Sequence, residues 1–426
     1  MKVNSRLPQL FSPTGFRIVS KIGRRAGGYG SSIALSTLVN LAVVPIVIAV
    51  AGSAAWGGIA VSQSIASFGF VLVAFGWGIT GPSAVAGLGE PARGQFFVDS
   101  VITRAYLFVL VAPLVLISVW VLSPGNTMAN QFAALALLLP ALGSSWFFVG
   151  ERRPWRLFFM ENVPRALGTA LGAVLLVLTR DIVWFAVSQS LGSIFSTGIA
   201  VWDVMRRHPR YRAVMRLRPA LGRLRDQASG MIAAGTAALY VSLPLVLVAL
   251  LVPQATAVYA LADKLLRFSV AAYSPVIQIA QGYVPDRDPA IHRSKAELAL
   301  KLSLGLGLVA GGGYMLLAPW GASVLSAGAI VVSWSLAAPL GLALAAIAVS
   351  AVVGWACLTS FGAVKKVAVS TVLGVLFGAP LLVFGGLWFG LVGIAWATAA
   401  SELIVALYQI GQLRRFIRRP VAPAED

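Results

Sequence analysis

Cysteine is almost absent from this chain. Cys357 is the single thiol among 426 residues, which excludes a disulfide framework and a cysteine-based metal site. Histidine is nearly as scarce. His208 and His292 both sit among charges between apolar runs, poor positions for a buried metal or a proton relay. The glycine-rich P-loop pattern is missing, so the sequence offers no site for ATP hydrolysis, and nothing in it asks for a cofactor. Charge is scarce as well. Charged residues make up 11% and hydrophobic residues 58%, whereas a soluble domain carries about 25% charged residues. Such a chain cannot clothe itself in polar groups, and it reads as an all-α integral membrane protein. A lipid-spanning barrel would alternate apolar and polar residues over about 10 positions. Here the apolar runs last about 20 or more, the length of a spanning helix.

Twelve such segments are expected. They run over Gly30–Val50, Trp56–Ile79, Val101–Leu122, Phe132–Gly150, Leu157–Leu178, Ile182–Val204, Ser229–Val252, Ala257–Tyr283, Leu298–Pro319, Val331–Leu358, Val367–Leu387 and Leu391–Leu413. The basic residues alternate with them. One side gathers Lys2, Arg6, Arg17, Lys21, Arg24, Arg25, Arg93, Arg104, Arg152, Arg153, Arg156 and Arg165. It continues through the run from Arg206 to Arg225, then Arg287, Arg293, Lys295, Lys301, Lys365, Lys366, Arg414, Arg415, Arg418 and Arg419. The opposite side holds only Arg180. Positive loops stay cytoplasmic, so both termini are expected inside a cell membrane crossed many times. Trp56, Trp120, Trp184, Trp320 and Trp388 fall at expected outer ends, where an amphipathic ring favours the headgroup layer. Phe16–Arg25 alternates apolar and basic residues at helical spacing. It suits either a helix lying on the inner leaflet or a simple positive tail.

The organisation is two lobes of six segments. Residues 1–27 form an N-terminal tail, 28–204 the first lobe, 205–227 a basic linker, 228–413 the second lobe and 414–426 a C-terminal tail. The arginine-rich linker suits the anionic lipids of the inner leaflet better than nucleic acid. Pro45 in the first segment corresponds to Pro244 in the seventh, and each precedes a short uncharged turn. An even number of segments per lobe starts both on the same membrane face, so the expected repeat is parallel, as in transporters whose lobes rock about a central site. Pro45 and Pro244 are the expected hinges, since each removes a helix hydrogen bond.

Ionisable groups inside a membrane segment are costly and usually face a cavity. The eighth segment carries Asp263, Lys264 and Arg267. Lys264 and Arg267 share a helix face, and Asp263 and Arg267 are spaced to pair. The trio serves either as an anion site or as a buried structural ion pair. The fifth segment carries Glu161, Asn162 and Arg165, and Arg104 lies at a similar shallow depth in the third, where snorkelling to the inner surface is the plain expectation. Glu402 in the twelfth segment has no adjacent partner and suits an ion pair or proton coupling. Asn40 and Gln63 suit sugar hydroxyls or helix bridging.

Four blocks then carry a family likeness: SQSIASF at Ser62–Phe68, WFFVGER at Trp146–Arg152, YALADKL at Tyr259–Leu265 with Pro285 beyond it, and GLVGIAWA at Gly390–Ala397 running on to Ser401 and Glu402. With these blocks the chain resembles the bacterial polysaccharide (O-antigen-type) flippases of the multidrug/oligosaccharidyl-lipid/polysaccharide exporter superfamily. The second block departs from that family at Val149, where glutamine is usual. The resemblance implies alternating-access transfer of polyprenyl-pyrophosphate-linked oligosaccharide to the outer leaflet for polysaccharide assembly. It places the pyrophosphate in a cationic lumen and allows a polysaccharide polymerase as partner. Lys264, Arg267, Arg165, Asn40 and Gln63 are the expected substrate contacts; Asp263, Glu402 and Glu161 are the expected ion-pair or coupling groups. The alternatives are a cation-coupled multidrug extruder and a lipid II flippase. An enzyme is disfavoured, because no large outer loop carries catalytic charges.

Overall fold

The computed structural model describes residues 13–213, 217–286 and 288–418. The described residues form helices and no strand, because a chain this apolar must pair its backbone groups within each segment. The helices are α1 Pro13–Ala74, α2 Trp77–Gly87, α3 Glu90–Leu122, α4 Thr127–Leu138, α5 Ser145–Gly150, α6 Pro154–Arg156, α7 Val163–Thr179, α8 Ile182–Arg207, α9 Leu217–Leu251, α10 Thr256–Tyr283, α11 Pro289–Leu325, α12 Trp334–Val352 and α13 Val364–Arg418. Among the described residues, eight helical stretches are long and apolar enough to cross a membrane by length and composition.

The two longest helices are each broken by a glycine. Gly52 in α1 has φ 87° and ψ 164°, and Gly390 in α13 has φ 58° and ψ −140°. Both conformations are open to glycine and strained for other residues. Each break lets one apolar segment turn back beside the next. The limbs of α13 then meet so closely that a Cβ on Gly385 would lie 2.5 Å from the carbonyl oxygen of Gly393. A Cβ on Gly378 would lie 2.7 Å from Ser401. The α7–α8 hairpin has the same character, since a Cβ on Gly168 would lie 2.7 Å from the Cα of Gly192. Small residues permit such backbone approach where lipid offers no hydrophobic drive between helices.

The fourth apolar segment is not one helix. After α4 a 3₁₀ turn covers Leu139–Leu142, and Gly143 is extended before α5. Two buried charges stitch this break. Arg104 of α3 donates to the carbonyls of Ala141 and Gly143, each at 2.8 Å, and the Glu161 carboxylate accepts from the Ser144 N–H at 2.6 Å. Arg104 is 1% exposed, so it does not snorkel as its position suggested. The carbonyls freed at the break accept its guanidinium bonds and hold it inside.

The tail expected as residues 1–27 continues α1 from Pro13 onward. The linker expected at 205–227 is helical at both ends, since α8 runs to Arg207 and α9 starts at Leu217. Pro45 and Pro244 lie inside helical stretches; the sharp departures from helix fall instead at Gly52 and at the turn Val252–Ala255. Trp120, Trp184, Trp320 and Trp388 are exposed, whereas Trp56 is 4% exposed and belongs to the interior.

α1 packs against both α9 and α10. A Cβ on Gly57 would sit 3.2 Å from the Ala257 nitrogen, and one on Gly230 would sit 3.1 Å from Gly76. The second contact is reinforced by Arg223 on Asp99 at 2.7 Å and by a hydrogen bond from Thr80 to Gln227. Between these two seams the halves part and leave a cavity.

Candidate functional site

The cavity of about 380 Å³ lies between α1 and α4 on one side and α9 and α10 on the other. Asn40, Trp56 and Gln63 of α1 face Asp263, Lys264 and Arg267 of α10 across it. An adjoining pocket of about 190 Å³ extends into the N-terminal half. It shares Asn40 and Gln63 with the first cavity and adds Asn162, Arg165, Thr169, Gln189 and Ser193. A third, smaller pocket of about 60 Å³ lies within the C-terminal half and holds Glu402, Tyr240, Thr398 and Pro244 beside Asp263 and Arg267. Residues scattered from position 40 to position 402 are therefore gathered in one connected region. Two of the expected residues stand apart. Glu161 is 2% exposed behind Arg165, and Pro45 lines none of these pockets.

The three charges on α10 are not equivalent. Arg267 grips Asp263 with two bonds, Nε to Oδ2 at 2.6 Å and a second guanidinium nitrogen to Oδ1 at 3.0 Å, and that second nitrogen also donates to the Val241 carbonyl at 2.9 Å. This bidentate fork is the strong form of the interaction. It spends one positive and one negative charge on each other. Among the described residues, no carboxylate lies within salt-bridge distance of Lys264. Its ammonium instead lies 4.6 Å from the centroid of the Trp56 ring, a cation–π contact that orients the group without neutralising it. The cavity therefore carries a net charge of one cation, set among amides, hydroxyls and the Trp56 indole on a lining that also includes Leu137, Val241, Leu245 and Phe268.

Arg165 is held differently. Its guanidinium donates to Asn162 Oδ1 at 2.9 Å and to the Glu161 carbonyl at 3.1 Å, and it lies 3.8 Å from the Glu161 carboxylate. Glu402 lies beside Tyr240, whose hydroxyl meets Ser401 Oγ at 2.6 Å. Sequence reasoning missed Trp56 as a partner for Lys264, and it missed Gln189 and Thr169 of the N-terminal pocket. These are helix–helix relations with no local signal in the chain.

A separate charged cluster closes the charge-rich end of α8. Arg207 donates to both oxygens of Glu151 at 2.8 Å and to Asp203 at 2.9 Å, His208 meets Glu151 at 2.8 Å, and Arg156 reaches Asp203. Burial alone would raise the Glu151 carboxyl; the bonds from Arg207 and His208 outweigh it and hold the group below the ordinary glutamate range. Glu151 belongs to the turn after α5, where Arg152 adopts φ 57° and the Arg153 N–H bonds to the Phe148 carbonyl at 2.9 Å. The same turn recurs after α12, with Gly362 at φ 70° and the Ala363 N–H on Leu358 at 2.9 Å.

No family model matches the chain, and no curated protein matches it in sequence. Its fold is shared with solved transporters. An inward-facing multidrug resistance MATE family transporter of the MOP superfamily superposes with a TM-score of 0.63 at 16% identity, over 90% of this chain and 94% of that one. The lipid II flippase MurJ, in an inward closed conformation, gives 0.62 at 12% identity, over 91% of this chain and 87% of that one. A mutant form of the Vibrio cholerae MATE transporter VcmN gives 0.57 at 14% identity, over 94% of this chain and 98% of that one. The chain thus has the membrane-transporter fold common to the MATE transporters and MurJ. At these identities the likeness defines the architecture alone.

Proposed function

We propose that this protein is a flippase. It transfers polyprenyl-pyrophosphate-linked oligosaccharide from the inner to the outer leaflet of the cytoplasmic membrane by alternating access, for assembly of a cell-surface polysaccharide. In this reading the Gly52 and Gly390 breaks divide α1 and α13, so the chain crosses the membrane twelve times as two six-helix lobes in parallel repeat, with both termini inside. The recurring turns at Arg152 and Gly362 support that repeat. The observation that carries the proposal is the single unbalanced cation, Lys264, over Trp56 between the halves. A pyrophosphate needs cations where water is scarce, because charge is screened less there. Asn40 and Gln63 stand beside it to meet sugar hydroxyls, and the anchored pair Asp263–Arg267 shapes the site. Pro45 and Pro244 let the helices flex as the lobes rock. Anionic inner-leaflet lipids hold the basic linker, and a polysaccharide polymerase is the downstream partner.

The test is transfer of a fluorescent polyprenyl-pyrophosphate oligosaccharide across proteoliposomes holding the full chain. Lys264→Ala lowers transfer by about tenfold to a hundredfold at normal protein yield, and Lys264→Arg retains more of it. Full transfer by Lys264→Ala refutes the site. A second reading, the cation-coupled multidrug extruder, rests on Glu402 in the C-terminal pocket, an acidic group of the kind that binds protons or drug cations. It predicts that Glu402→Gln abolishes export of organic cations while Lys264→Ala spares it. A lipid II flippase would accept lipid II in the same liposome assay.

A further inference from the structure

The charges in the two joined pockets divide unequally, and that division assigns different parts of a cargo to each. We infer that the N-terminal pocket of Asn162, Arg165, Thr169 and Gln189 is a saccharide subsite that takes an uncharged sugar ring. This deepens the flippase reading and rests on it. Among the described residues no carboxylate pairs with Lys264 in its cavity, where Asp263 is held by Arg267, whereas Arg165 faces its pocket with Glu161 3.8 Å behind it and Asn162 bonded at 2.9 Å. The arginine is thereby balanced. It presents hydrogen-bond donors with little net charge, which suits a hydroxyl better than a phosphate.

The rest of the lining points the same way. A sugar ring displays hydroxyls that both donate and accept, and sites for it need mixed amide and hydroxyl partners. Gln189 is 9% exposed and its Oε1 has no hydrogen-bond partner among the described residues. Its amide nitrogen reaches Thr169 Oγ1 only at 3.5 Å. A buried amide left open in this way costs stability, and rotation about its soft terminal torsion turns the acceptor toward the pocket. Thr169 donates to the Arg165 carbonyl at 3.0 Å, and its oxygen accepts only the long 3.5 Å contact from Gln189, which leaves it acceptor capacity for a ligand hydroxyl. Among the described residues no aromatic ring lines the pocket; Val39, Leu137 and Pro140 give it an apolar side, and its polar groups supply the directional contacts. Asn40 and Gln63 border both pockets. A pyrophosphate at Lys264 therefore delivers the sugar attached to it across these two amides into the N-terminal pocket.

Two measurements on the solubilised or reconstituted full chain test this. In the first, proteoliposomes receive polyprenyl pyrophosphate either bare or carrying one N-acetylhexosamine. Gln189→Leu and Thr169→Val should each lower the ratio of sugar-bearing to bare transfer by about two- to tenfold, the effect of one lost neutral hydrogen bond. An unchanged ratio overturns the proposal. In the second, free N-acetylglucosamine and mannose are added at millimolar concentration, and saturation-transfer NMR reads their contact with the protein. The signal should be present in the wild type, fall in Gln189→Leu, and persist in Lys264→Ala. Absence of signal in the wild type, or equal signal in Gln189→Leu, also overturns the subsite. Loss of lipid transfer with saccharide binding intact would instead count against the flippase reading alone.

Discussion

The ion pair on α10 makes an unusual prediction: removing an acidic residue should strengthen an anion site and rescue the loss of its lysine. In the wild type the cavity holds Lys264 and Arg267 against Asp263, a net charge of +1 (two cations less one carboxylate). Asp263→Asn raises it to +2 and releases the Arg267 fork, whose two bonds to the carboxylate are 2.6 and 3.0 Å long. A unit charge about 8 Å from an anionic phosphate contributes about 2 kcal/mol at an effective dielectric constant near 20, and screening and side-chain reorganisation reduce this. Asp263→Asn should therefore tighten binding of polyprenyl pyrophosphate by about tenfold. Lys264→Ala removes a charge-assisted bond worth about 1.5–3 kcal/mol, a loss of about tenfold to a hundredfold. The double variant restores the net charge to +1 through Arg267 and should recover much of that loss. The assay is concentration-dependent transfer in proteoliposomes at two ionic strengths, with size-exclusion profiles confirming equal folded protein. The charge effect should shrink at high salt. The reasoning fails if the double variant is no better than Lys264→Ala while Asp263→Asn equals the wild type.

Three further outcomes follow from the scaffold. Gly52→Val forces a β-branched residue to φ 87°, a strain of about 1–3 kcal/mol. It should lower the thermal midpoint in detergent, whereas Pro45→Ala should leave it within error; equal midpoints for Gly52→Val and wild type would contradict the break. Gly168→Val places a Cβ 2.7 Å from Gly192, and overpacking of about 1–3 kcal/mol should appear as a lower midpoint and reduced yield, with Gly198→Val, which meets open space, as the matched control. Glu151 is held below the ordinary glutamate range, so its stabilisation is present above that range and is lost as pH falls through the depressed value. Wild-type stability should drop on acidification below about pH 4.5, and Glu151→Gln, costing about 1–3 kcal/mol at neutral pH, should show a flatter profile there.

The class of this protein was readable from composition and segment length alone. Apolar runs of this length must be helices in lipid, since each carries its own backbone hydrogen bonds, and Gly390 falls where two short-looped runs had to turn. The cation-bearing stretch Asp263–Arg267 was readable too, because a charge in an apolar helix stands out locally. Its helical spacing even supplied the Asp263–Arg267 pair, which the geometry contains. Other features belong to no single helix. Trp56 looked like an interfacial ring because its end of the segment is near a turn; only the packing of α1 on α10 places it under Lys264. Arg104 looked like a surface-seeking cation until the break after α4 exposed carbonyls for it to bind. Gln189 and Thr169 carry no local signal, since an amide and a hydroxyl in a membrane helix serve equally well as helix bridges. Sequence determined which groups are costly to bury, since that cost belongs to each residue type and its neighbours along the helix. Tertiary structure decided which charges cancel and which face open space, because that depends on contacts between residues far apart in the chain.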